Sequence, residues 1–370
     1  MAYQRIVVKF GTALLTNGSD NLDKDVMSRL VRQLSKLHEQ GKEIILVSSG
    51  AMAAGRHQLG LSKRVRDIPF KQVLASVGQH HLMHLYERLF AGHNITVAQA
   101  LLSRSDLLDR AGYLNARNTL LALMELKVLC IVNENDVVAV EELEEAVFGD
   151  NDNLSAMVAN LVDADLLLIL TDIGGLYTAD PNRHPGAELV PEVKTIDSKI
   201  ERLAADTPGG VGTGGMIAKV EAAKLATSSG VTVIIADGRE PDVVTRLVKG
   251  ETLGTRFLPA SSRLESRQRW MLSGLSTRGK LVVDAGAVLA LKDQKRSLLA
   301  AGIKEIEGEF NRGDIVNICD AEGCRLACGI ANYSSSDIAV IKGAHSEKIT
   351  TLLGYDYGSE VVHRNNLVVV

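Results

Sequence analysis

Three glycine-bearing junctions hold the residues with the most chemical promise. Val8-Lys9-Phe10-Gly11-Thr12 puts an ammonium group at the end of an apolar run, beside a glycine turn. Ser48-Ser49-Gly50-Ala51 joins a second apolar run to a small-residue helix start, where backbone N–H groups and the helix dipole favour an anion. Gly212-Thr213-Gly214-Gly215-Met216 opens a helix whose first turn bears Lys219. Its spacing is not the GxxxxGKS/T of P-loop proteins, so that assignment fails. A lysine leaving a buried strand needs an anion to offset its desolvation. Two such lysines point to a polyanion.

Carboxylates and amides form the second set. Asn133-Glu134-Asn135-Asp136 follows the run ending at Val132, and Gly149-Asp150-Asn151-Asp152-Asn153 precedes a helix beginning at Leu154. Such residues serve as turns and N-caps. Gathered where strands exit and helices start, they also make a cage for an ammonium group and support for a metal ion. Thr171-Asp172 closes Leu166–Leu170 and precedes Gly174-Gly175-Leu176-Tyr177-Thr178-Ala179-Asp180-Pro181. A carboxylate at that tip would orient both lysines. His80-His81-x-x-His84 has no acidic partner nearby and reads as helix surface, not a metal site.

The elements that must position these groups alternate up to about residue 257. Strands fit Arg5–Phe10, Glu43–Val47, Ile95–Ala100, Val128–Val132, Leu166–Leu170 and Val231–Ala236. Helical periodicity falls between them, as in Val26, Leu30, Leu34 and Leu37, and near 71–90, 113–126, 152–163 and 215–229. Alternation of this kind predicts a mainly parallel sheet covered on both faces, an α/β/α sandwich. Its ligands would bind outside the carboxyl ends of the strands. A polar stretch over 259–275 reads as a linker between domains at 1–258 and 276–370. Beyond it, Leu281–Asp284, Ala287–Leu291, Asp314–Ile318, Arg325–Ile330 and Asp337–Ile341 are short segments separated by glycines, which predicts a small β-barrel.

Composition narrows the classes. The 370 residues carry 41 Lys+Arg and 45 Asp+Glu, a net charge of −4 that argues against a phosphate backbone as the main partner. Residues 276–370 hold 11 Lys+Arg against 12 Asp+Glu with no basic run, which weighs against RNA binding by the C-terminal domain. Cys130, Cys319, Cys324 and Cys328 lack zinc spacing and read as reduced, mostly buried thiols. Lys9 interrupts the only early apolar stretch, and Leu166–Leu170 is too short to span a bilayer, so a cytoplasmic protein is expected. Glu141-Glu142-Leu143-Glu144-Glu145 reads as a solvated acidic loop.

Taken in order, V-V-K-F-G-T, V-S-S-G-A-x-A-A-G, N-E-N-D, G-D-N-D-N-L-S-A, L-T-D-I-x-G-L-Y-T-A-D-P and G-T-G-G-M-x-x-K resemble the amino acid kinase family, from residue 5 to about 240. Residues 297–303 and 308–316 resemble a PUA domain. The resemblance implies ATP-dependent phosphorylation of the side-chain carboxylate of L-glutamate, the first step of proline biosynthesis, with Mg²⁺. It implies proline as feedback inhibitor and a homo-oligomer, a dimer or tetramer. It implies that Lys9 and Lys219 contact ATP phosphates, with Asp172 completing the catalytic set. Thr171, Asp172 and the loop Thr213, Gly214, Gly215, Met216, Ile217, Ala218 and Lys219 would form the nucleotide site. Ser49, Gly50, Asp136 and Asn151 would bind glutamate, with Asp152 close by. A kinase of acetylglutamate or aspartate is the alternative. An N-acetylated substrate would leave the carboxylates of that cage without their ammonium partner.

Overall fold

A computed structural model describes residues 3–61, 67–139, 150–181, 183–206, 215–259 and 277–369. The chain divides into two compact units: Met1–Leu107 with Arg117–Arg263, and Leu108–Ala116 with Leu264–Val370.

The first unit is built on eight strands: β1 Arg5–Phe10, β2 Glu43–Ser48, β3 Val97–Leu102, β4 Leu129–Glu134, β5 Leu166–Thr171, β6 Glu192–Val193, β7 Thr232–Asp237 and β8 Thr255–Phe257. They lie in the order β3-β4-β2-β1-β5-β7-β8-β6. Pairing is parallel except between β7 and β8. Every residue of β4 and β5 is buried, the signature of strands covered on both faces. Several strands run on past their apolar stretch, to Glu134, Thr171 and Asp237. Ladder hydrogen bonds continue there after hydrophobicity stops, so polar residues end the strands.

The chain leaves β1 towards β2 on one side and leaves β5 towards β6, beyond β7 and β8, on the other. Neighbouring strands that diverge in this way open a crevice at their carboxyl ends. Lys9 lies there, in register with Val47 on β2 and Ile169 on β5. Behind the sheet, Asp23 caps the helix Lys24–Glu39, accepting from the N–H groups of Asp25 and Val26. Val26, Leu30, Leu34 and Leu37 bury one face of that helix against Ile6, Val8 and Phe10.

The second unit contains β9 Thr277–Val283, β10 Leu298–Leu299, β11 Ile303–Glu307, β12 Ile315–Cys319, β13 Arg325–Ile330, β14 Glu360–Val362 and β15 Leu367–Val369. Among the described residues they form a five-stranded sheet, β11-β9-β12-β13-β15, and a β10-β14 pair. Two segments expected to belong to the β-barrel, Ala287–Leu291 and Asp337–Ile341, are helical and lie within the helices Ala285–Lys292 and Ser335–Ile341. Asp284 caps the first by accepting from Ala287 N–H at 2.8 Å, and Ser334 with Asp337 makes a capping box on the second. Leu281, Val316, Ile318, Leu326, Ile338 and Val361 are among the core of this unit.

His80, His81 and His84 lie on the helix Ile68–Ala91, where His84 Nδ1 is 3.6 Å from Glu87. All four cysteines are free thiols, Cys324 exposed and the others buried. No described helix is long and apolar enough to cross a membrane. The acidic loop 141–145 and residues 260–275 of the expected linker lie outside the described residues.

Candidate active site

Lys9 and Lys219 meet on one carboxylate. Lys9 Nζ lies 2.5 Å from Asp152 Oδ1, and Lys219 Nζ donates to Oδ2 at 3.1 Å. All three residues are buried. Three separate stretches converge here: Lys9 comes from β1, Lys219 from the start of the helix Met216–Ser228, and Asp152 from the first turn of the helix Asp150–Leu161. Burial would push the Asp152 carboxyl upward. The charges and hydrogen bonds of Lys9 and Lys219 outweigh it and hold the group below the usual carboxylate range. Summed over these three groups the charge is +1, the sign that a polyphosphate needs.

The carboxylate that both ammonium groups contact is Asp152. Asp172 accepts from Thr171 Oγ1 at 3.0 Å, and its main-chain carbonyl accepts from Arg239 Nη2 at 2.5 Å. The family resemblance puts Asp152 close to the amino-acid site, within a run of amides and carboxylates at a helix start. Nothing in that run says which side chain turns towards the lysines. A Cβ on Gly11 would stand 3.7 Å from Lys9 Nζ and 3.4 Å from the Leu170 carbonyl.

Ser49, Gly50 and Asn151 adjoin this centre. Asn151 Nδ2 donates to Ser49 Oγ at 3.2 Å, while Asn151 Oδ1 is buried with no hydrogen-bond partner among the described residues. Gly50 caps the helix Ala51–Gln58 at φ 99°, and a Cβ there would stand 3.0 Å from Leu22. Both the space and the left-handed backbone call for glycine. Asp136, half-buried, sits in the turn after β4, whose neighbour β2 leads into Ser49. These residues therefore gather at the ends of adjacent strands. Gly215 caps the helix Met216–Ser228, in which Met216 and Ala218 are buried and Ile217 is partly exposed. Thr213 and Gly214 lie outside the described residues.

A cavity of about 720 Å³ opens beyond Thr171, lined by Asp172, Tyr177, Asp237, Arg239, Glu240 and Gly254 among others. Arg239 spans it, donating to the Asp237 carboxylate through Nε at 2.9 Å and Nη2 at 2.7 Å as well as to the Asp172 carbonyl. With three carboxylates and one guanidinium, the lining suits a neutral group rich in hydroxyls better than phosphate. Sequence reading missed Asp237 and Arg239. The available signal was an Asp-Gly-Arg run directly after the β7 stretch, at the same edge as Thr171-Asp172.

Residues 4–237 match the amino acid kinase family, and residues 279–353 match the PUA domain. Over 368 residues the chain is 60% identical to a glutamate 5-kinase of Dehalococcoides mccartyi, covering 100% of this chain and 99% of the other. It is 51% identical over 366 residues to a glutamate 5-kinase of Herpetosiphon aurantiacus, covering 99% and 98%. A glutamate 5-kinase of Photobacterium profundum is 49% identical over 367 residues, covering 99% and 96%.

Proposed function

The chain belongs to the amino acid kinase family, among the glutamate 5-kinases, and on that premise we propose that it moves the γ-phosphoryl group of ATP onto the side-chain carboxylate of L-glutamate. The observation that carries the proposal is the pair of buried ammonium groups on Asp152. Transfer between two anions is limited by position and by charge repulsion. A glutamate side chain is already ionised at neutral pH, so the acceptor needs no general base. What it needs is cationic cover for the moving group. Lys9 and Lys219 supply it, held by Asp152 before ATP arrives, so no reorganisation is needed during transfer.

ATP phosphates lie over Lys9 and Lys219, and the nucleoside enters the cavity lined by Asp172, Tyr177, Asp237 and Arg239. The acidic lining accepts ribose hydroxyls. Asp172, which lines the cavity, would supply one of the one or two protein oxygens that a Mg²⁺ ion needs, and the ion would neutralise part of the phosphate charge. Glutamate sits against Ser49 and Gly50, with Asp136 and the buried Asn151 Oδ1 receiving its α-ammonium. An N-acetylated acceptor would strand these groups at a cost of about 1–3 kcal/mol each. Residues 1–258 form the catalytic domain, and 276–370 an accessory PUA domain of a cytoplasmic homo-oligomer.

Turnover of ATP with L-glutamate and hydroxylamine tests the reading, because an acyl phosphate is trapped as the hydroxamate. Glutamate should give hydroxamate, while N-acetylglutamate and aspartate give little. Proline should suppress the signal in competition with glutamate. Hydroxamate from N-acetylglutamate alone would assign the chain to the other branch.

A further inference from the structure

Three polar side chains recur at seven-residue intervals on the helix Ile68–Ala91: Gln72, Gln79 and Tyr86. Seven residues are nearly two full turns, so all three share one stripe. Each reaches a backbone or side chain of the proposed glutamate pocket, or of the loop that carries it. Gln72 Nε2 donates to the Val137 carbonyl at 3.0 Å, immediately after Asp136. Gln79 Oε1 accepts from Asn133 Nδ2 at 2.7 Å, and Asn133 Oδ1 in turn accepts the Glu134 N–H at 2.9 Å. Tyr86, fully buried, places its hydroxyl 2.8 Å from Ser48 Oγ, which donates to the Ser49 carbonyl at 3.0 Å.

Two of these contacts secure the turn between Asn133 and Val137. The third secures the Ser48-Ser49 turn. The same helix also fixes the distance to the Ala51–Gln58 helix by direct backbone packing. A Cβ on Gly78 would stand 1.7 Å from the Ala51 carbonyl. One continuous element therefore grips both walls of the pocket, and none of the three side chains comes from the lysine centre.

We infer that Gln72, Gln79 and Tyr86 are positioning residues for the amino-acid acceptor: a polar stripe on one helix that sets the spacing between Ser49 and Asp136. The inference rests on the glutamate reading above. A packed apolar helix would hold the turns against the core without fixing their hydrogen-bonding groups. Hydrogen bonds at three points fix both position and orientation. The stripe acts on glutamate and leaves ATP alone.

Steady-state kinetics of the full chain, with hydroxamate as readout, tests this. Tyr86→Phe removes only a hydroxyl, and Gln79→Met removes only the amide. Each should raise KM for glutamate roughly tenfold, the scale of one lost buried hydrogen bond. KM for ATP should stay within about twofold. Gln72→Met, at a half-exposed site where folding is not at stake, should give a smaller rise of the same selectivity. Melting temperatures recorded alongside separate positioning from folding. A lowered Tm with an unchanged ratio of the two KM values overturns the inference, as do equal rises in both. Should wild type form hydroxamate normally and all three variants match it, the stripe alone is refuted. Should wild type form none from glutamate, the reading beneath it falls first and takes the stripe with it.

Discussion

Asp152 is the residue on which the centre turns, and its charge makes a strong prediction. Asp152→Asn keeps the volume and leaves two buried ammonium groups with a neutral neighbour. Removing one partner of a buried ion pair costs about 3–5 kcal/mol, so the variant should melt well below wild type. ATP supplies the missing negative charge. Its stabilising effect, measured as the rise in Tm at saturating nucleotide, should be larger in the variant than in wild type. An equal or smaller rise would place the triphosphate away from the lysines. The pH dependence has a definite sign. Folded Asp152 has a lowered pKa, so its contribution is present above the ordinary carboxylate range, about pH 4, and is lost as pH falls through the folded value. The Tm gap between wild type and Asp152→Asn should therefore close in acid. Lys219→Ala, which leaves Lys9 alone on the carboxylate, should lower kcat by on the order of 10²–10³. Near-normal turnover would remove Lys219 from the mechanism. The thiols offer a further check. Burial pushes the Cys130 thiol up to about 12, whereas Cys324 is exposed, so a thiol reagent should label Cys324 in the native protein and Cys130 only after unfolding.

Elements place these residues, and here the sequence is legible in proportion to how much each element depends on its own pattern. β1, β2 and β5 are apolar runs with no competing period, and Lys9, Ser49 and Asp172 follow from where they end. The helix Lys24–Glu39 shows its buried stripe directly. Ala287–Leu291 and Asp337–Ile341 suggest a β-rich barrel because five apolar-rich residues do not separate the two periods. Their caps, Asp284 and the Ser334/Asp337 box, were the better guide. The lysine–carboxylate bridge was not legible, since it depends on which of several adjacent acids faces inward. Nor was the crossing of Ala51–Gln58 over Ile68–Ala91. A Cβ on Gly55 would fall 1.9 Å from the Leu74 carbonyl, and only the folded pair shows it. Gly55→Ala must push the two helices apart. That should cost about 1–3 kcal/mol of stability and shift the Ser49-Gly50 turn that leads into the first helix. Thermal melts and KM for glutamate should worsen together. Unchanged values in Gly55→Ala would mean the crossing can relax at no cost.

At the scale of the whole molecule, the boundary between units falls inside a helix. Arg110–Glu125 is continuous, yet Leu108–Ala116 belongs with the C-terminal unit and the helix from Arg117 onward with the catalytic one. Within the C-terminal unit, Leu114 is fully buried against Ile315, Cys328, Ile330 and Val368, and Arg110 pairs with Asp314. A chain ending at residue 258 keeps Lys9, Ser49, Asp136, Asp152 and Lys219, so the chemistry proposed here survives the cut. It loses every partner of Leu114 named above. At about 25 cal/mol per Å², exposing a leucine and its neighbours removes a few kcal/mol and leaves an apolar patch on a helix that still has to fold. The shortened chain should therefore retain KM for ATP and glutamate within about threefold in its soluble fraction. It should melt lower than the full chain and associate as concentration rises. Leu114→Ser in the shortened chain should restore solubility without touching kinetics, whereas in the full chain the same change should destabilise. The two measurements together decide the matter. Loss of glutamate KM on truncation would mean that the C-terminal unit shapes the acceptor site directly. A shortened chain that is monomeric and as stable as the parent would mean that the Leu114 cluster contributes nothing to holding the helix.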